Sequence, residues 1–587
     1  MAKTPLFSLL RRCAGIALAS ERTGVPADEL LGAIRERHAL SRRAMLGASA
    51  GTTAALLVAC GDDDGPSSPS DAGPDTARPD AGPDARPDGG GVTARVAVIG
   101  AGMAGLHCAY RLMRAGVDAQ LFEAGDRVGG RMFSARGMYE DGQLFELGGE
   151  LIDSNHVTMM EIASSFEVEL DDLFADEPPG LIRDSWFFGN RLVPDSEIVA
   201  DFGPLAAVMA AEVERAESDD AHFEAVDAMS IPEWLSAQAE TTPLIQAILE
   251  EAYRGEYGLE PEEQSIFNLL YLVGWDEPDP FRVFGDSDER FHVHSGNDTL
   301  TTRLAEALGE RVETGARLVA IRQTAGGAYT LSFERGSSTM DMEFDHVVLA
   351  LPFTLLRGVT LEIDGMSAEK SQVIAELGYG TNAKLMSQYT SRVWVDAHNR
   401  GGAAIADNGA QFTWETSRGQ EGASGVLTNF LGGTIGAESG AGTAEDLMAR
   451  QLPLIDAIFP GTAAAYRAGS AARMHWPTVP LALGSYACYR PGQWAFYGLE
   501  GERVGNVHFC GEHCSADFQG FMEGAAETGA LAAAEVLEDL GIRSSGMMLR
   551  VLRRKLRVPQ GSYLGGVPMR WMRRRRIVRR RLGLRRF

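Results

Sequence analysis

Gly100, Gly102 and Gly105 stand in G-x-G-x-x-G spacing, and Glu123 follows eighteen residues after the last of them. These residues suit an adenine dinucleotide. The first glycine permits a tight turn, the second lets backbone reach a pyrophosphate, and the third lets a helix pack closely on a strand. The acid falls where ribose hydroxyls are bound. Further along, FELGGELID (Phe145 to Asp153) holds a glycine pair, Gly148 and Gly149, followed by Glu150 and Leu151. Asp153 and Asn155 in this region read equally as helix caps. Lys384 lies in YGTNAKLMSQYTSRVW, where strand alternation alone makes it an exposed strand lysine facing away from Ala383 and Leu385. His292 and His294 alternate on one strand face, but two histidines without a third ligand read as structural. The six cysteines form no C-x-x-C pair, so no zinc site or disulfide framework is expected.

The elements that must position these residues are legible around them. Arg95 to Ile99 is a β-branched, apolar run of the kind that forms a buried parallel strand. Met103 to Arg114 has apolar residues recurring at three and four, and Ala119 to Phe122 is a second strand with Glu123 at its end. The start of that helix offers unpaired N–H groups and a partial positive charge to phosphates. Residues 156–289 read as mostly helical and acidic. Val312 to Ile321 with Tyr329 to Phe333 suggest a small antiparallel sheet, and Asp345 to Pro352 a buried strand. From Val507 a strand ends at Gly511-Glu512, and an Ala-rich helix opens near Glu523. At 587 residues, with 45% apolar content, the chain is long enough for more than one domain of an ordinary soluble protein.

Directly after Glu123 and Ala124 come Arg127, Gly129, Gly130 and Arg131 as R-V-G-G-R. Placed there, the run resembles the flavin amine oxidase family of monoamine, polyamine and L-amino-acid oxidases. The likeness spans roughly residues 93–542. It implies an α/β fold: a Rossmann-like FAD-binding domain (93–155, 290–365 and 480–542) with a discontinuous α+β substrate-binding domain (156–289 and 366–479). It places Gly148 and Gly149 against the flavin ring, a valine at Val319 on adenine, and Lys384 beside flavin N5, holding a water. Trp476 packs beside the flavin, and Tyr486 and Phe521 border the substrate. Glu512 would bind a ribityl or phosphate-linked group, and Gly520, Met522, Glu523, Gly524 and Ala525 would complete the FAD contacts. Where monoamine oxidases attach FAD through cysteine, this chain has Gly484, with Cys488 four residues later, so FAD is expected to be non-covalent. Where L-amino-acid oxidases carry an arginine for the substrate carboxylate, it has Leu151, which favours an amine. The implied reaction is oxidative deamination by hydride transfer to the flavin, with O2 as acceptor and hydrogen peroxide as product. Glu150 serves either a distal substrate cation or the flavin and fold. The alternatives are an L-amino-acid oxidase, a flavin dehydrogenase or desaturase feeding a membrane carrier, and a non-catalytic flavoprotein.

Outside this span, residues 1–59 look like a leader. Ser41-Arg42-Arg43 gives a twin-arginine signal, and Leu57-Val58-Ala59-Cys60 resembles a lipoprotein cleavage box. Residues 60–92, rich in Pro, Gly and Asp with DAGPD twice, form an extended tether. Export and a lipid anchor at Cys60 in the cell envelope follow as expectations. The tail 543–587 has sixteen Lys+Arg and no Asp or Glu, in a chain of net charge −27. Met548, Val551, Leu552 and Leu556 would form one apolar helical stripe, an interfacial membrane pattern. Nucleic acid is the weaker reading for an exported chain.

Overall fold

Val96–Ile99 (VAVI) has no polar side chain and all four residues are buried. It forms the centre of a five-stranded parallel sheet in a computed structural model that describes residues 94–175 and 177–542. The expected leader, the tether, the lipidation site Cys60 and the basic tail lie outside the described residues. The sheet order is Val507–Phe509, His346–Leu349, Val96–Ile99, Ala119–Phe122 and Val312–Glu313. Helix Met103–Arg114 matches the span expected from its periodicity. The last helix among the described residues, Met522–Asp539, packs on it through small residues: a Cβ on Gly529 would come within 2.2 Å of the Ala104 carbonyl. This close crossing is what an Ala/Gly-rich helix face permits.

The antiparallel sheet expected over 312–333 divides. Val312–Glu313 joins the parallel sheet beside Ala119–Phe122. Arg317–Gln323 pairs instead with Tyr329–Arg335, which continues to Ser338–Phe344. Between them the Gly315 and Ala316 N–H groups donate to the Gly125 and Glu123 carbonyls, which takes the chain out of the first ladder.

A seven-stranded sheet runs Ala472–His475, Ala383–Tyr389, Gly425–Leu431, Gln411–Glu415, Arg400–Ala406, Ile182–Phe188 and Arg191–Val193. The helices Asp195–Ser218 and Pro243–Tyr257 contribute to a second core that includes its residues Trp186 and Phe412. The helical reading of 156–289 therefore missed a hairpin. Its signal is present: Gly189-Asn190, with φ of +58° and +59°, joins Ile182–Phe188 to Arg191–Val193 as a two-residue turn. Ala383–Tyr389 is buried at every residue, so Lys384 is not an exposed strand lysine. Among the described residues, no helix is long and apolar enough to cross a membrane.

Candidate functional site

The Gly100 turn opens on a cavity of about 710 Å³. Gly100 has φ of +101°, and a Cβ there would lie 2.7 Å from the Ala350 carbonyl, so both conformation and space require glycine. Gly102 lines the cavity with nothing within 4 Å of its Cβ position, leaving room for a phosphate. Gly105 is not on the wall. A Cβ there would stand 1.9 Å from the Gly100 carbonyl oxygen, so its role is helix-on-strand packing. Met103 and Ala104 also line the cavity, and no side chain caps their helix, which leaves its first N–H groups for an anion. Glu123 is held at the wall by N–H groups of Ala101 and Gly125, both at 2.8 Å, with Ala124 beside it. Arg127 lies over the Phe133 ring and donates to the Gly130 carbonyl at 2.6 Å. Arg131 donates to the Ser485 carbonyl and to Glu512 Oε1, the latter at 3.0 Å.

Gly148, Gly149, Glu150 and Leu151 form the next part of the wall. A Cβ on Gly148 would come within 1.8 Å of the Arg131 carbonyl, and one on Gly149 within 2.8 Å of Met522 Cγ. Lys384 Nζ donates to the Gly148 carbonyl at 2.9 Å and to Glu150 Oε2 at 2.6 Å. Thr416 Oγ1 donates to Glu150 Oε1 at 2.8 Å. Desolvation is the largest influence and raises the Glu150 pKa, but the Lys384 charge and hydrogen bond, with smaller help from His292 and Trp414, together leave that carboxyl below its ordinary value. Glu150 is thus the partner of Lys384.

Glu512, Gly520, Phe521, Met522 and Ala525 line the cavity, as do Trp476 and Tyr486. Glu512 is itself fixed by protein: Oε1 accepts from Arg131 and from the Ala487 N–H, and Oε2 accepts from the Gly520 N–H at 3.0 Å. Tyr486 Oη donates to the Glu256 carbonyl. Four expected positions are corrected. Glu523 does not reach the cavity; its carboxylate accepts the Thr158 and Met159 N–H groups at 2.9 and 2.8 Å, capping helix Val157–Ser165. Gly524 is a packing position, where a Cβ would lie 2.1 Å from the Phe518 carbonyl. Val319 stands at a register shift between Leu318 and Ala320, and Ala316, Arg317 and Leu318 line the cavity in its place. Asp153 caps no helix and instead accepts from Ser287 Oγ and the Glu289 N–H. His292 and His294 pair separately with Glu146 and Asp171, which makes both structural.

The structure also brings in wall residues that the local sequence did not mark. Tyr257, Phe412, Trp414 and Phe430 add aromatic surface, and Glu256 and Glu289 add two acids. Burial pushes the Glu256 carboxyl up to about 7, with Asp153 adding repulsion. The Glu289 carboxyl is raised by desolvation and by repulsion from Asp153 and Glu256, with the Arg418 charge opposing the shift. Glu289 also has φ of +48°, an uncommon conformation outside glycine. Glu256 closes a helix and Glu289 sits in a loop. Neither lies in a motif.

One cavity therefore joins an uncapped helix start, a ribose-side acid, glycines without room for side chains, a buried lysine and an aromatic wall. That donor set fits FAD. The family model for flavin containing amine oxidoreductase matches residues 103–537. The L-amino-acid oxidase of Siganus canaliculatus is 24% identical over 75% of this chain and 85% of its own length. That of Pseudechis australis is 22% identical over 75% and 86%. Among solved structures, cyclohexylamine oxidase from Brevibacterium oxydans aligns with TM-score 0.66 at 21% identity, over 76% of this chain and 99% of that one. Putrescine oxidase bound to putrescine aligns with TM-score 0.65 at 18% identity over the same shares. The chain belongs to the flavin-containing amine oxidoreductases, FAD-dependent oxidoreductases acting on amines or amino acids.

Proposed function

We propose that this protein is an amine oxidase with non-covalent FAD, and that its substrate is an amine rather than an amino acid. The observation that carries this reading is a charge imbalance in the cavity. Three of the four cations on the wall are paired with acids, Arg131 with Glu512, Arg317 with Glu334 and Lys384 with Glu150, and the fourth, Arg127, is held by the Gly130 carbonyl beside the dinucleotide glycines. Among the described residues, neither Glu256 nor Glu289 has an ion pair within 4.0 Å, and the Arg418 charge that acts on Glu289 does not stand on the cavity wall. An amino-acid carboxylate needs an unengaged cation, whereas an ammonium group needs an acid. Leu151 adds no charge to the wall. With Glu150 committed to Lys384, a second cationic group on a substrate would fall to Glu256 and Glu289.

When bound, FAD supplies a two-electron acceptor that takes hydride from the carbon beside nitrogen and passes the electrons to O2, giving hydrogen peroxide. Trp476, Tyr486 and Phe521 exclude water and favour the neutral amine at the reacting end. The Lys384 ammonium has three donors, of which two are used, and the third can hold a water and stabilise negative charge developing on oxygen. The resulting imine is hydrolysed by water.

Steady-state peroxide detection with monoamines, diamines and L-amino acids tests the reading. Turnover of amines above amino acids supports it. Preference for amino acids, which the curated relatives' names suggest, overturns it. Amines that bleach the flavin anaerobically without oxygen-driven turnover would point to a dehydrogenase. Twin-arginine export and lipidation at Cys60 are part of the same proposal, tested by mass spectrometry of the mature N-terminus.

A further inference from the structure

His346, His508 and Asp539 lie outside the cavity wall. The parallel register pairs Val348 with His508, so His346, two residues earlier on its strand, shares a sheet face with His508. Asp539 is the last residue of helix Met522–Asp539. Asp539 Oδ2 stands 3.6 Å from His508 Nε2 and 3.9 Å from His346 Nδ1, and the three candidate ligand atoms lie within 4.8 Å of one another. His508 is fully buried and His346 is 6% exposed. His508 Nε2 and His346 Nδ1 are both buried without a hydrogen-bond partner. Two unpartnered ring nitrogens converging on one carboxylate mark a place for a ligand that accepts lone pairs.

We propose that this cluster is a binding site for a divalent transition metal ion of the zinc class. Two imidazoles and a carboxylate are its ordinary ligands, at about 2.0–2.2 Å. Around a tetrahedral ion at those lengths, ligand atoms stand about 3.3–3.5 Å apart. Contraction by a few tenths of an ångström brings the two nitrogens to that spacing from Asp539, and the nitrogens, within 4.8 Å of each other, would close by up to about 1.4 Å. The second shell is in place. His508 Nδ1 stands 2.9 Å from Glu535 Oε2, the carboxylate–histidine arrangement that fixes the ring with Nε2 free to ligate. Arg503 donates to Asp539 Oδ2 at 2.6 Å, leaving other lone pairs of the carboxylate available. Bound there, the ion would clamp the end of helix Met522–Asp539 to the sheet edge. The site is structural and separate from amine oxidation.

The test uses the full-length, flavin-loaded protein after chelator treatment and dialysis. Zn2+ is titrated by calorimetry, and Co2+ by its visible ligand-field absorption. The expected result is one equivalent bound, nitrogen-type Co2+ bands, and a Zn2+-dependent rise in Tm. Asp539→Ala, at a partly exposed helix end, should abolish these signals while flavin content stays unchanged. Glu535→Gln should weaken Zn2+ binding by about 10–100-fold. Absence of stoichiometric binding by the native chain, or equal affinity in Asp539→Ala, would overturn the proposal.

Discussion

Lys384 Nζ lies 2.6 Å from Glu150 Oε2, and the two side chains are only 4% and 5% exposed. The pair joins a buried strand of the seven-stranded sheet to the loop that follows Gly148 and Gly149. It thereby places an ammonium at the cavity wall and neutralises the acid that would otherwise draw a substrate cation there. Breaking it from one side leaves an uncompensated buried charge. Lys384→Met should therefore cost about 3–5 kcal/mol, read as a lowered denaturation midpoint. In stopped flow it should slow flavin reoxidation far more than reduction by amine. Equal slowing of both half-reactions would remove Lys384 from the oxygen step.

The same pair sets a pH dependence of stability. The Glu150 carboxyl lies below its ordinary value in the folded protein because the Lys384 charge and hydrogen bond, with His292 and Trp414, together outweigh its burial. Its contribution is thus fully present above the ordinary carboxylate pKa of about 4.3 and is lost as pH falls through the depressed folded value. Denaturant unfolding at a series of acid pH values should show a loss of stability that Glu150→Gln flattens. An unchanged slope in that variant would show that other carboxyls carry it.

Glu256 should govern the approach of a second substrate cation. Its carboxyl, pushed up to about 7 by burial, attracts an ammonium group only when ionised. For a diamine, KM should fall as pH rises through about 7. Glu256→Gln should remove that limb while leaving a monoamine of similar length nearly unaffected. A monoamine profile that changes as much as the diamine profile would contradict the role.

Glu523 tests the helix-cap assignment against the cofactor role expected from the resemblance. Two N–H groups of helix Val157–Ser165 depend on its carboxylate. Glu523→Ala should destabilise the fold by about 1–3 kcal/mol and leave FAD affinity within a factor of two or three (on the order of the remaining 0.5 kcal/mol). Fluorescence titration of the apoprotein with FAD, beside a thermal melt, separates the two effects.

Among the described residues, no cysteine lines the cavity. Gly484 has φ of +153°, and a Cβ there would meet Tyr379 Cβ at 3.0 Å, while Cys488 is fully buried beside Asn268. Denaturation should therefore release all flavin into the supernatant. Flavin that migrates with the polypeptide on a denaturing gel would identify a covalent bond.

The nucleotide unit was legible from the residues alone because its signals are local. A β-branched run, three glycines, a helix of 3.6-residue period and an acid at a strand end define one another within thirty residues. Helix Met103–Arg114 and strand Ala119–Phe122 have the spans that the periodicity predicts. The resemblance carried the reading on to Glu512, Phe521 and Trp476, which lie on the same wall. What local pattern could not decide is which groups meet. Lys384 reads as a surface residue until strands are packed on both sides of it. Glu523 reads as a cofactor ligand until helix Val157–Ser165 arrives to take its carboxylate. Val319 stands at a register shift that its own sequence does not announce, and the cavity wall is lined by its neighbour Leu318. Glu256 and Glu289, and likewise His346, His508 and Asp539, come from separate segments with no shared spacing. Turns and periods depend on near neighbours along the chain, whereas the burial and pairing of a charge depend on long-range packing, which only the tertiary structure fixes.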